Sequence, residues 1–82
     1  MTMEDIFKKM QEMIASQFAM DEDDITMDSA FTDDLGADSI DLVELVMSME
    51  DEFDIGTVDE EDLVKLKTVG ECVRYLNQKI NG

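Results

Sequence analysis

The distribution of charge constrains this chain more than any other feature of its sequence. Between Lys9 and Lys65 there is no basic residue, yet all but three of the 22 acidic residues lie in that interval. The formal net charge of the 82 residues is -16, while 44% of them are apolar. A fold must therefore gather the apolar side chains into a core and spread the carboxylates over the surface, because buried unpaired charges are very costly.

The same composition excludes several classes of site. The chain has no His and a single Cys, so it has no His-based triad, no His–metal site, no four-Cys zinc site and no intrachain disulfide. The negative charge disfavours nucleic acids and anionic membranes as partners. No apolar stretch approaches the length of a membrane span, and the charged residues of the first ten interrupt any signal sequence. We expect no metal site, no nucleic acid partner, no membrane insertion and a cytoplasmic location.

Apolar residues spaced by three and four predict the first and last helices. The first is expected over Met3–Phe18, with Thr2 as its cap and Asp5 at the third helical position. The last is expected to begin after Thr68, which forms a capping-box pattern with Glu71. One apolar stripe follows this last helix: Val69, Cys72, Val73, Leu76 and Ile80.

The rest of the chain predicts two further helices and a long connection. Residues Ala19–Asp38 form the connection, and a short third helix is expected within Val58–Leu66, after Gly56 has ended the second. Three apolar residues are expected to hold the connection to the core: Ile25, Phe31 and Leu35. No segment alternates with a period of two. The prediction is therefore an all-α fold, a small four-helix bundle of three longer helices and one short, within one domain of residues 1–82.

The second helix carries two different faces. Asp38 or Ser39 is its expected N-cap, and on an ideal helix its apolar stripe lies opposite Glu44 and Asp51. This core stripe comprises Leu42, Val46, Met49 and Phe53. Ile40 and Met47 fall beside the acidic side, so that apolar residues are framed by carboxylates, as in a surface that binds partners. The expected partner-binding residues are Asp38, Ile40, Asp41, Glu44, Met47 and Asp51.

Ser39 is the candidate reactive residue. It follows Gly36-Ala37-Asp38, small and polar residues that leave its hydroxyl accessible, and it begins a helix, where backbone N–H groups favour an attached phosphate. The competing interpretation is that Ser39 is only an N-cap, a position that Ser commonly occupies. No His exists and no Lys is near in sequence, so an enzyme nucleophile at Ser39 would lack a base, and we expect no catalytic residue.

The run Leu35-Gly36-Ala37-Asp38-Ser39-Ile40-Asp41, followed by Val43–Met47 and Glu50–Phe53, resembles the acyl carrier proteins of the fatty-acid synthase type. The resemblance extends over nearly the whole chain. It implies a non-enzymatic, monomeric carrier with a covalent 4′-phosphopantetheine arm on Ser39, whose thiol carries growing acyl chains as thioesters. It also implies that the partners are the phosphopantetheinyl transferase and basic surfaces of fatty acid synthesis enzymes.

The sequence departs from that family in small ways. Ile40 stands where Leu is usual, Val58 stands where Pro is frequent, and the segment Asp54–Leu66 is one residue longer than in common members. Two alternatives remain open at this point. One is a stand-alone polyketide carrier, and the other is an acidic helical interaction module without a prosthetic group.

A carrier of long acyl chains needs a place to shelter them from water, since each buried CH₂ is worth about 0.8 kcal/mol. Helical bundles commonly form such sites between their helices. The expected walls come from the last three helices: Val43, Val46, Met49, Leu63, Leu66, Val73 and Leu76. The short third helix is expected to yield to the chain, because segments with few buried contacts open most easily.

Overall fold

Helix α1, Met3–Phe18, opens the structure, which is a computed structural model describing residues 1–82. The side chains of Thr2 and Asp5 form a reciprocal capping box at its start. The helix ends at Ala19, whose backbone is left-handed with φ 54°. Ile6, Met10 and Ile14 are wholly buried on one face. The predicted bounds and cap of this helix are confirmed.

The connection from Ala19 to Asp38 is held to the body of the protein along its length. It contains one 3-10 turn, Glu22–Asp24, and it buries Ile25 and Phe31 as predicted, while Leu35 is half-buried. Its middle runs beside the start of the last helix, where Ala30 and Thr68 form an isolated antiparallel bridge. The Phe31 N–H donates to the Lys67 carbonyl at 3.0 Å. This backbone tie gives the loop a defined path despite its lack of regular structure.

Helix α2 spans Ser39–Phe53 and ends at Asp54, which takes a left-handed conformation with φ 51°. The helix therefore stops before Gly56, which was expected to end it. Its buried residues are Leu45, Val46, Met49 and Phe53. The predicted stripe began with Leu42, which is half-buried, and it omitted Leu45, which is 1% exposed. Leu45 therefore joins the buried side of α2, and Leu42 lies at the edge of that side.

Helix α3 lies within the predicted segment Val58–Leu66, and helix α4 matches its prediction. Helix α3 covers only Glu60–Leu63, buries none of its residues, and its preceding Asp59 makes no side-chain cap. Helix α4 spans Val69–Asn81 and begins with the predicted capping box of Thr68 and Glu71. Its apolar stripe is buried except for Ile80, which is half-buried.

Sixteen buried residues from all three long helices, the connection and the segment around α3 form one hydrophobic core. Helix α1 lies between α4 and α2 and packs against both. The structure has four α-helices, three of them long, and no strand, which confirms the predicted all-α four-helix fold. None of these helices is both long and apolar enough to cross a membrane. No group of three or more His, Cys, Asp or Glu side chains is arranged to hold a metal ion.

Candidate functional site

Ser39 is the first residue of α2, and its side chain is exposed. The N-cap is Asp38, whose Oδ1 accepts the N–H of Asp41 at 2.9 Å. In return the Asp38 N–H donates to Asp41 Oδ2 at 3.2 Å. The Ser39 hydroxyl makes no hydrogen bond within the protein, so capping the helix does not account for this serine.

The backbone before Ser39 is shaped to present it at the surface. Gly36 has φ 67°, a left-handed conformation that favours glycine, and it turns the chain toward the helix. Ala37 is 4% exposed, and its N–H donates to the Phe31 carbonyl at 2.8 Å. A buried residue therefore lies two positions before the exposed Ser39 side chain, so the chain passes from the core to the surface over these three residues.

The surroundings of Ser39 suit an attached phosphate better than a free anion. The first N–H groups of a helix have no intrahelical acceptor, and together with the helix dipole they favour negative charge. The carboxylates of Asp38 and Asp41 lie in the same turn and would repel an unattached anion. A phosphodiester bonded to the Ser39 oxygen is held covalently and needs no further cation. The residues present therefore fit a phosphate-linked group.

The outward side of α2 combines apolar and acidic side chains, as predicted. Ile40 is 69% exposed and Met47 is 58% exposed, although both are large and apolar. The acids placed with them are also at the surface: Asp38, Glu44 and Asp51 are exposed, and Asp41 is half-buried. Val43, expected to line the acyl pocket, is 45% exposed and belongs to the same outward side. We call these seven residues the α2 face.

The remaining residues expected to line the acyl pocket are part of the core. Val46, Met49, Leu66, Val73 and Leu76 are buried, and Leu63 is half-buried. An open, mainly apolar cavity of about 300 Å³ lies at the edge of this group. Sequence reasoning identified only Leu63 and Leu66 among its walls. The others come from the connection, the start of α2 and the segment between α3 and α4: Ala30, Phe31, Thr32, Asp33, Leu42, Val64 and Lys67.

The single thiol is buried in the core and is not reactive. Cys72 is 1% exposed on α4, as expected of a small core residue. Burial raises the pKa of its thiol to about 12, and the nearby Glu71 carboxylate acts in the same direction. The thiol therefore stays protonated at neutral pH, and only a thiolate is a nucleophile.

Comparison with known proteins agrees with this geometry. Residues 8–76 match the family model described as a phosphopantetheine attachment site. The acyl carrier protein of Petrotoga mobilis is 46% identical over 81 residues, which cover 99% of this chain and 94% of that protein. The acyl carrier protein of Clostridium perfringens is 47% identical over 73 residues, covering 89% and 95%. The solved structure of the acyl carrier protein from Enterococcus faecalis superimposes with a TM-score of 0.80 at 37% identity, covering 96% and 99%.

These findings exclude one of the two alternatives left open by the sequence, and they agree with the expectation that the chain is not an enzyme. A module without a prosthetic group does not fit a family model that is defined by phosphopantetheine attachment. An enzyme does not fit relatives that are carriers. The chain belongs to the acyl carrier protein family, and it is a carrier of 4′-phosphopantetheine and not an enzyme.

Proposed function

We propose that this protein carries growing acyl chains in fatty acid biosynthesis, with the 4′-phosphopantetheine arm bonded through a phosphodiester to Ser39 Oγ. The observation that carries the proposal is the exposed Ser39 hydroxyl, which is free because Asp38 caps the helix. When bound, the arm supplies a terminal thiol that holds acyl groups as thioesters. The chain's own residues present the arm, recognise partners and shelter the cargo.

The attachment site is tested by the mass of the intact protein. The unmodified protein is incubated with coenzyme A and a phosphopantetheinyl transferase, and the mass should increase by one arm. Ser39→Ala should abolish the increase. Ser48→Ala is the matched control, because Ser48 is also exposed and lies on the same helix. An arm that still attaches to Ser39→Ala, or is lost in Ser48→Ala, contradicts the assignment.

The α2 face is the proposed docking surface for the basic surfaces of partner enzymes and of the transferase. Its support is the pairing of exposed apolar side chains with carboxylates, since acids steer basic partners and apolar groups are buried on contact. Glu44→Lys should lower the association rate with a basic partner enzyme at low salt and flatten its salt dependence. Asp23→Lys makes the same change of charge on the exposed 3-10 turn and should have a smaller effect. Equal effects of the two variants would place docking elsewhere.

The acyl chain is proposed to enter at the apolar cavity beside Leu42 and Leu63 and to extend among the buried expected walls. Support comes from helix α3, which buries no residue and so can move at little cost. Acylation should then stabilise the fold, because the chain binds the folded state only. Melting temperature should rise with acyl length, and amide exchange at Leu63 and Leu66 should slow. Neither change should occur with the unacylated arm.

The pathway and setting are part of the same proposal. A fatty-acid carrier should be isolated from its own cells with saturated chains and chain-elongation intermediates, whereas a polyketide carrier should hold polyketide intermediates. Mass spectrometry of the native protein distinguishes the two. We propose a monomeric single carrier domain of residues 1–82 in the reducing cytoplasm, in agreement with its one hydrophobic core and one buried thiol. Sedimentation at micromolar concentration tests the monomer.

A further inference from the structure

Helix α1 carries two glutamines whose side chains bond to the backbone of other elements. The Gln17 Nε2 group donates to the carbonyl of Asp41 at 2.8 Å. The Gln11 Nε2 group donates to the carbonyl of Ile25 at 2.8 Å and to that of Glu22 at 3.2 Å. Both glutamines are half-buried. The two residues thus make similar bonds from one helix to two different segments of the chain.

The bond from Gln17 reaches the turn that contains Ser39. Asp41 is the third residue of α2, and its N–H and carboxylate are already paired with Asp38 in the capping box. Its carbonyl has two lone pairs, so it can accept from Gln17 in addition to the helix N–H four residues on. No other side-chain hydrogen bond joins α1 to this first turn; the remaining one between the two helices, Lys9 to Glu52 at 2.9 Å, lies at the far end of α2.

No side-chain hydrogen bond joins Ser39 itself to another element. Its side chain is exposed and makes no hydrogen bond, so the direction of the hydroxyl depends on the backbone of the first turn. The first turn of a helix lacks internal acceptors for its N–H groups and is prone to fray. The capping box holds the turn together internally, but only a contact with another element can fix its orientation relative to the rest of the protein.

We propose that Gln17 is a positioning residue for Ser39. Its amide holds the first turn of α2 in one orientation against α1, so that the Ser39 hydroxyl, and later the arm, leaves the surface at a fixed place. The inference rests on the proposed attachment at Ser39. It predicts that loss of the Gln17 donor slows arm transfer through kcat, whereas changes to the α2 face act through KM.

The experiment compares Gln17→Met with Gln11→Met. Methionine has nearly the length of glutamine and suits a helix, but it cannot donate a hydrogen bond. The net free-energy contribution of one hydrogen bond corresponds to a factor of roughly 2 to 12 in an equilibrium constant. Gln17→Met should therefore speed amide exchange at Leu42, Val43 and Leu45 by about three- to tenfold. It should lower the transferase kcat by a similar factor, with KM within about twofold.

Gln11→Met is the matched control, because it removes equivalent bonds to the connection and leaves α2 untouched. It should speed exchange near Ile25 and leave both transferase constants within about twofold. Equal exchange at Leu42 and equal kcat in the two variants would overturn the proposal. Amide exchange also measures the effect of Gln17→Met in the protein that carries no arm. If Gln17→Met unfolds, slow exchange of the Gln17 side-chain amide protons in the unaltered protein is the expected result, and fast exchange refutes the bond.

Failure of the role proposed for Gln17 can be distinguished from failure of the attachment proposed at Ser39. If Ser39→Ala still gains the arm, the proposed function fails whatever Gln17 does. If Ser39→Ala gains no arm and Gln17→Met is loaded at the normal rate, only the positioning role fails.

Discussion

Helices α2 and α4 begin alike and end up with opposite surfaces. Each starts with a reciprocal capping box, Asp38 with Asp41 in α2 and Thr68 with Glu71 in α4. Helix α4 leaves no large apolar residue exposed, whereas α2 exposes three: Ile40, Val43 and Met47. The large apolar residues of α4 therefore pack in or against the core, whereas three of those on α2 remain exposed to solvent. This exposed apolar set on an otherwise well-formed helix agrees with the docking role proposed for the α2 face.

The largest expected effect is a difference in unfolding free energy between a substitution in the core of α4 and one on the outward side of α2. Leu76 is wholly buried, so Leu76→Ala should lower the free energy of unfolding by about 3 kcal/mol. Met47 is 58% exposed, so Met47→Ala should change it by less than about 0.5 kcal/mol while weakening partner binding. Urea unfolding measures both. A loss of more than about 1 kcal/mol in Met47→Ala would mean that this side of α2 is structural after all.

The next effect concerns the buried thiol of α4, for which α2 has no counterpart. The pKa of Cys72 is about 12 in the folded state against 9.0 for the free group. The unfolded chain therefore loses this proton first as the pH rises, and the free energy of unfolding falls between those two values. The loss from this thiol should reach about 2 kcal/mol at pH 10.5.

Cys72→Val provides the control for that pH dependence, since valine fills similar space and does not titrate. Its unfolding free energy should fall less steeply above pH 9 than that of the unaltered protein. Some slope should remain, because desolvation and the nearby Asp62 carboxylate raise the pKa of Tyr75 as well. Parallel curves for the two proteins would show that the thiol is accessible to solvent.

The helix caps give a smaller effect with a clear contrast. Thr68 accepts the N–H of Glu71 at 3.2 Å, so Thr68→Ala should lower the free energy of unfolding by about 1 kcal/mol. Ser39 is not a cap, so Ser39→Ala should change it by no more than about 0.3 kcal/mol while abolishing arm attachment. Thermal or urea unfolding of the two variants checks the difference. An equal loss of unfolding free energy in Ser39→Ala and Thr68→Ala would show that Ser39 caps α2.

The smallest effects should differ in sign between the two helices. Glu44 is exposed among other acids of α2, so Glu44→Ala should raise the free energy of unfolding by up to about 0.5 kcal/mol at low salt. The gain should shrink in 1 M NaCl, where charges are screened over about 3 Å. Glu71 accepts the Thr68 N–H at 3.1 Å, so Glu71→Ala should be destabilising at both salt concentrations. The same sign for both variants would show that position on the helix matters less than net charge.

Features that depend on neighbours in sequence were predictable. The bounds of α1, its Thr2 cap and the start of α4 at Thr68 follow from spacings of three and four residues. The motif around Ser39 identified the family for the same reason, because its residues lie in one short run. The exact bounds of α3 within Val58–Leu66 could not be predicted, because four residues that bury nothing carry no periodic signal to mark where they end.

Sequence alone determined the helical class, the two outer helices, the segregation of charge and the candidate serine, since each depends on local propensity and spacing. Tertiary structure decided the rest. It left Val43 exposed, brought Leu45 into the core and joined Gln17 to Asp41 across 24 positions. The apolar residues of a helix indicate which side faces the core to within some tens of degrees. Only the position of the neighbouring helix decides which of those residues are covered.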